Sequence, residues 1–103
     1  MILKQSAMAG TLESSDVQIR VEPNPGSGIA INLESDVLAL FGDSIRETVR
    51  DVLQEFEVED AVVSLYDRGA LDCTIRARLG CALCRAAGTS YDWSKEDAKE
   101  CRK

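Results

Sequence analysis

The chain switches its hydrophobic period from two residues to between three and four and back again, and this switching restricts the fold more than any other feature. Val17, Ile19 and Val21 alternate with Gln18, Arg20 and Glu22, so residues 17–22 read as a strand with one wet face. Pro23-Asn-Pro-Gly-Ser-Gly28 stops that strand, because prolines donate nothing to a ladder and glycines admit positive φ. Alternation resumes with Ile29, Ile31 and Leu33 against Ala30, Asn32 and Glu34. Two alternating runs about such a turn predict an antiparallel hairpin. They are incompatible with an all-helical bundle.

From Ser35 the period lengthens. Leu38, Phe41, Ile45, Val49, Val52, Leu53 and Phe56 recur at three- and four-residue steps, with Arg46, Glu47, Arg50, Asp51, Gln54 and Glu55 opposite them. This predicts an amphipathic helix, with Ser35 or Asp36 as its N-cap and Gly42 as a point where the first turn loosens or separates. Ala61-Val-Val-Ser-Leu-Tyr66 is short and β-branched, and predicts a third strand. Asp67-Arg-Gly69 then turns into a second helix, whose buried stripe is expected at Leu71, Ile75, Leu79, Leu83 and Ala86, with Gly88 as C-cap. Residues 1–9 and 89–103 are expected to be flexible tails, Tyr91 and Trp93 being possible anchors for the second.

The expected fold class is therefore α+β, one domain over residues 1–103 in the order β-β-α-β-α. A right-handed crossover through the first helix places the third strand beside the first. The sheet is then three-stranded, in the order 2-1-3, with both helices on one face.

With 103 residues the chain is long enough for one core and too short for two domains. A domain this small hides roughly 60–70% of its unfolded surface, so a deep substrate cavity would be costly. The net charge of −6 argues against nucleic acid, which is bound through a basic face. It suits docking on basic patches of larger proteins, or simple solubility. Residues 34–60 hold nine acids against two arginines, whereas 61–88 hold two acids against four arginines. No apolar stretch approaches the roughly 20 residues that span a bilayer, and no signal sequence is evident, so a cytoplasmic location is expected.

Few residues are able to carry chemistry. The chain contains no histidine and no glycine-rich phosphate loop. Ser14, in Gly10-Thr-Leu-Glu-Ser-Ser-Asp16, offers a hydroxyl beside Glu13 and Asp16 just ahead of the first alternating run, where an outside enzyme can reach it. The two carboxylates either guide a positively charged transferase or simply solvate a loop. Chemistry alone does not separate Ser14 from Ser15. Ser44, in Gly42-Asp-Ser-Ile45, resembles the Asp-Ser-Leu/Ile signature of fatty-acid acyl carriers, where a helix N-terminus suits a phosphate. Those carriers are all-helical, so Ser44 reads instead as a capping or solvated residue.

Cys73, Cys81, Cys84 and Cys101 supply only one C-x-x-C pair, whereas structural zinc sites usually combine two. They are read as buried or half-buried thiols, with no metal site expected. Arg76, Arg78 and Arg85 recur on the second helix without sharing one side, and meet either carboxylates or solvent.

The run Ala9-Gly-Thr-Leu-Glu-Ser-Ser-Asp16 resembles the start of the gamma, or acyl carrier, subunit of citrate lyase. The likeness continues through Asp16-Val-Gln-Ile-Arg20, Phe41-Gly-Asp-Ser-Ile-Arg46 and Asp51-Val-Leu53. It extends to Asp67-Arg-Gly-Ala-Leu-Asp-Cys73 and Ile75-Arg-Ala-Arg-Leu79, in consistent order over residues 7–88. The resemblance implies that Ser14 bears a phosphoribosyl-dephospho-coenzyme A group through a phosphodiester, placed there by a prosthetic-group transferase. It further implies two catalytic partners: an alpha subunit that exchanges acetyl for citrate on the carrier thiol, and a beta subunit that cleaves the citryl thioester to oxaloacetate. The chain itself would make no bond, its service being to hold an intermediate at high effective concentration. The carrier subunit of malonate decarboxylase is similar in its prosthetic group, and an unmodified interaction module is the alternative from another class. Gly10-Thr-Leu-Glu-Ser14 and Gly69-Ala-Leu-Asp-Cys73 favour citrate lyase.

Overall fold

The alternating runs do form strands, but they are not neighbours. The structure is a computed structural model that describes residues 1–35 and 38–88, residues 38–40 as backbone only. Its elements are β1 (Ala7–Gly10), β2 (Val17–Pro23), β3 (Ile29–Ser35), α1 (Leu38–Glu55), β4 (Ala61–Asp67) and α2 (Asp72–Ala87). The sheet has four strands in the order β1-β2-β4-β3. This corrects the expected three-stranded sheet in order 2-1-3 on two counts.

First, a strand forms at Ala7–Gly10 and pairs antiparallel with β2, Ala9 opposite Ile19. Second, β4 lies between β2 and β3, antiparallel to the first and parallel to the second, so the expected hairpin does not form. The connection over residues 24–28 turns at Asn24–Ser27, the Ser27 amide donating to the Asn24 carbonyl at 3.1 Å, and then passes the start of β4 without pairing β2 with β3. Asp60 Oδ1 accepts from the Gly28 amide at 2.9 Å, and the Gly28 carbonyl accepts from the Ala61 amide at 3.0 Å.

The reason is burial. In β4, Ala61, Val63, Leu65 and Asp67 are all buried, and Val62 and Ser64 on the other side are half-buried. Such a strand is best covered by a neighbour along each edge. Register then aligns the inward side chains in rows, Ala9–Ile19–Leu65–Leu33 and Ala7–Val21–Val63–Ile31. α2 packs on β1 and β2, α1 packs on β3, and the helices pack on each other, so both cover one face. The opposite face carries exposed Met8, Arg20 and Tyr66.

Among the described side chains, the helices depart from their expected stripes at Phe41, at Leu71 and at Phe56, which is half-buried and lies one residue past α1. In α1, Ile45, Val49, Val52 and Leu53 are buried, but Phe41 is 52% exposed, and the helix runs through Gly42 unbroken. In α2, Ile75, Leu79, Leu83 and Ala86 are buried together with Ala82, whereas Leu71 is the N-cap residue and 67% exposed. Gly88 ends the helix at φ 75°. Ser35 closes β3 and donates its hydroxyl to buried Asp67 at 2.8 Å. Asp36, Tyr91 and Trp93 lie outside the described residues.

Because β1, β3 and β4 run opposite to β2, they all end at one edge of the sheet, where β2 begins. The connection through Ser14, the turn after Asp67 and the starts of both helices gather there.

Candidate functional site

Gly10 is where the Ser14 hairpin becomes possible. It closes β1 at φ +90°, and a Cβ built on it would stand 1.8 Å from the Val17 carbonyl oxygen. Only glycine lets the strands approach so closely in that conformation. The next residues make a four-residue turn, the Asp16 amide donating to the Glu13 carbonyl at 3.1 Å, with Ser14 and Ser15 at its centre. Ser15 takes the left-handed conformation, φ 64°, which a turn of this kind asks of its third residue.

Two struts hold the turn. The first is Asp16, whose side chain is 13% exposed. Its Oδ2 accepts from Thr11 Oγ1 at 2.7 Å and Arg78 Nη2 at 3.0 Å, and its Oδ1 from Arg78 Nε at 3.1 Å and the Val17 amide at 2.7 Å. Burial pushes this carboxyl's pKa up; the hydrogen bonds from Thr11, Val17 and Arg78, together with the guanidinium charge, outweigh it and hold the pKa below the usual carboxylate value. The second strut is the turn after β4: the Ser15 amide donates to the Arg68 carbonyl at 2.7 Å, and the Arg68 amide to the Asp16 carbonyl at 2.9 Å. Arg68 Nη1 also donates to the Leu12 carbonyl at 2.9 Å. Arg68 is in turn set by buried Asp67, which accepts from Ser35 and from the Ala70 amide.

Ser14 contributes its side chain to none of these braces. It stands exposed at the tip, with Glu13 and Ser15 exposed beside it. Asp16 therefore does not face an approaching enzyme, as one reading of the sequence allowed; it is the keystone of the loop. Its location directly ahead of a strand, five residues after a threonine, was the available signal. Its partner across 62 positions was not.

Ser44 is exposed but sits seven residues into α1, well inside the helix. It has no helix N-terminus to offer a phosphate. The arginines of α2 divide by side: Arg76 meets Asp51 at 3.5 Å and Glu55 at 3.8 Å on α1, Arg78 meets Asp16, and Arg85 Nη1 donates to the Met8 carbonyl at 2.7 Å. Cys84 is buried, Cys73 and Cys81 are half-buried, and Cys101 lies outside the described residues. Among the described residues no helix is long and apolar enough to cross a membrane.

The fold and the turn define a class by shape alone, a small α+β body with an exposed hydroxyl on a braced turn. Comparison with known sequences gives that class its family. A family model described as ACP, malonate decarboxylase delta subunit, matches residues 4–86. The citrate lyase acyl carrier protein of Streptococcus equi subsp. zooepidemicus (strain MGCS10565) is 46% identical over 99 residues, covering 95% of this chain and 97% of the relative. That of Vibrio cholerae serotype O1 (strain M66-2) is 47% identical over 96 residues, covering 92% and 98%. That of Streptococcus pyogenes serotype M4 is 48% identical over 99 residues, covering 95% and 97%. The chain belongs to the family of citrate lyase acyl carrier proteins, and is a carrier, not a catalyst.

Proposed function

We propose that Ser14 is the attachment point for the covalent prosthetic group of this carrier, and that the group is phosphoribosyl-dephospho-coenzyme A joined to Ser14 Oγ through a phosphodiester. One observation carries the reading: Ser14 is exposed at the apex of a turn whose every brace is made by other residues. The surroundings suit a phosphodiester, since Arg68 and Arg78 reach the hairpin and its foot. When bound, the group supplies a thiol on which acetyl and citryl groups ride.

The chain's own part is positional. Gly10, Asp16 and Arg68 fix the root of the arm, so that a transferase and the alpha and beta subunits of the lyase all meet the same geometry. Tethering keeps the acyl group from diffusing away between those sites. The whole chain serves as one carrier domain, in the cytoplasm, where the arm's thiol stays reduced. The matched family model bears the name of malonate decarboxylase; the relatives at 46–48% identity bear that of citrate lyase, which decides for citrate.

Co-expression with the prosthetic-group transferase and intact mass spectrometry test the assignment. The wild type, Ser15→Ala and Ser44→Ala should each gain one adduct, and Ser14→Ala none. A full adduct on Ser14→Ala would end it.

A further inference from the structure

Beside the Ser14 hairpin, the outward side of α2 forms a groove of about 460 Å³ lined by Cys73, Thr74, Ala77, Arg78, Cys81 and Arg85. These residues follow one another at helical steps along the side turned away from buried Ile75, Leu79 and Leu83. At 1.5 Å per residue the groove extends about 18 Å along the helix. It opens at the hairpin: Arg78, one of its walls, grips Asp16, two residues from Ser14.

The groove is chemically graded. Ala77 and Cys81 offer apolar, polarisable surface, and the guanidinium groups of Arg78 and Arg85 stand along it. Arg78 is bound to Asp16 yet its side chain remains 42% exposed. Arg85 is bonded to the Met8 carbonyl, a neutral acceptor, and among the described residues no ion pair offsets its charge. Arg76, on the side facing α1, is by contrast met by two carboxylates. In a chain of net charge −6, the groove beside the Ser14 hairpin thus holds Arg85, which among the described residues has no ionic partner, and Arg78, which stays partly exposed beside its pair with Asp16. The hollow at Met1–Leu3 and Pro23–Gly26 has the opposite character: it is lined by Glu57, Glu59 and Asp60 and lies at the far end of β2, about 20 Å away by strand rise.

We infer that the α2 groove is the resting berth of the arm joined to Ser14, an inference that rests on the attachment proposed above. Arg85 and the exposed edge of Arg78 supply donors for the phosphate oxygens of the arm. Ala77 and Cys81 supply contact for its uncharged stretch. The groove is open along its length, so it holds the arm without enclosing it and yields it to a partner's active site.

The test compares apo and transferase-modified protein, after intact mass has established one adduct per chain. Iodoacetamide labelling of Cys81 is followed by peptide mass spectrometry, with buried Cys84 as internal reference. Labelling of Cys81 should slow about threefold or more on modification, the effect of filling the groove two-thirds of the time. Arg85→Glu, measured against its own apo form, should lose that slowing while keeping the adduct. Equal rates in fully modified and apo wild type overturn the berth and leave the Ser14 attachment standing. Slowing that survives unchanged in Arg85→Glu also overturns it, because the arm would then not be read through its phosphates. Absence of any adduct overturns the attachment, and the berth with it.

Discussion

Ser14 and Ser44 are both exposed serines beside an acidic residue, yet the chain around them is built on opposite plans. Ser44 lies in α1, where backbone amides and carbonyls are committed to neighbours three and four positions away. Ser14 lies in a six-residue connection whose local bonds are few, and whose order is imported from Arg68 and Arg78, 52 to 62 positions downstream. A helix offers a hydroxyl on a broad convex surface. A braced hairpin offers it at a tip, clear of the body and still fixed in direction. On the attachment proposed at Ser14, the second plan leaves room for a partner to close around the root of the arm.

Four experiments sharpen or break this contrast. The largest effect belongs to the serines themselves: Ser14→Ala should abolish prosthetic-group transfer and reconstituted citrate cleavage while unfolding like wild type, and Ser44→Ala should alter neither. Next, Gly10→Ala should cost roughly 3 kcal/mol or more in urea unfolding, since a positive-φ penalty adds to overpacking against Val17. Unchanged stability would mean that the hairpin closes in some other way.

Asp16→Ala should cost about 1–3 kcal/mol, toward the lower end because Arg78 is partly solvated. Its pH signature has a definite sign. The folded pKa lies below the unfolded value, so the ionised carboxylate's contribution is complete above the unfolded carboxylate pKa, about 3.9. It is lost as pH falls through the folded pKa. The gap between wild type and Asp16→Asn in urea midpoint should therefore narrow on acidification; a gap that widens would contradict the ion-pair strut. The smallest effect is expected for Ser15→Gly, where relief of left-handed strain opposes greater unfolded-state freedom. The net shift should stay within about 1 kcal/mol, with transfer to Ser14 retained.

Much of this was legible in the residues. Val17–Val21, Ile29–Leu33 and Ala61–Leu65 alternate and are strands, and the stripes at Ile45–Leu53 and Ile75–Ala86 are helical and buried. β1 escaped because Ala7-Met-Ala-Gly10 has no β-branched residue and only four positions; its small inward residues lie under α2, a fact about packing and not about strand preference. Phe41 and Leu71 match their stripes in phase, but stand in the first turn and at the cap, and both are exposed. Ser14 was singled out by likeness to a family, since Ser14 and Ser15 are equals in local chemistry.

By itself the sequence determined which side of β2, β3, α1 and α2 is wet, where these elements and β4 start and stop to within a few residues, and which family the chain belongs to. These are local properties: side-chain period follows backbone geometry, and motifs are contiguous. Only the tertiary structure decided that β4 parts β2 from β3, and that Asp16 turns inward to Arg78. Alternation specifies a face but not a neighbour, and a salt bridge across 62 positions leaves no trace in either segment alone.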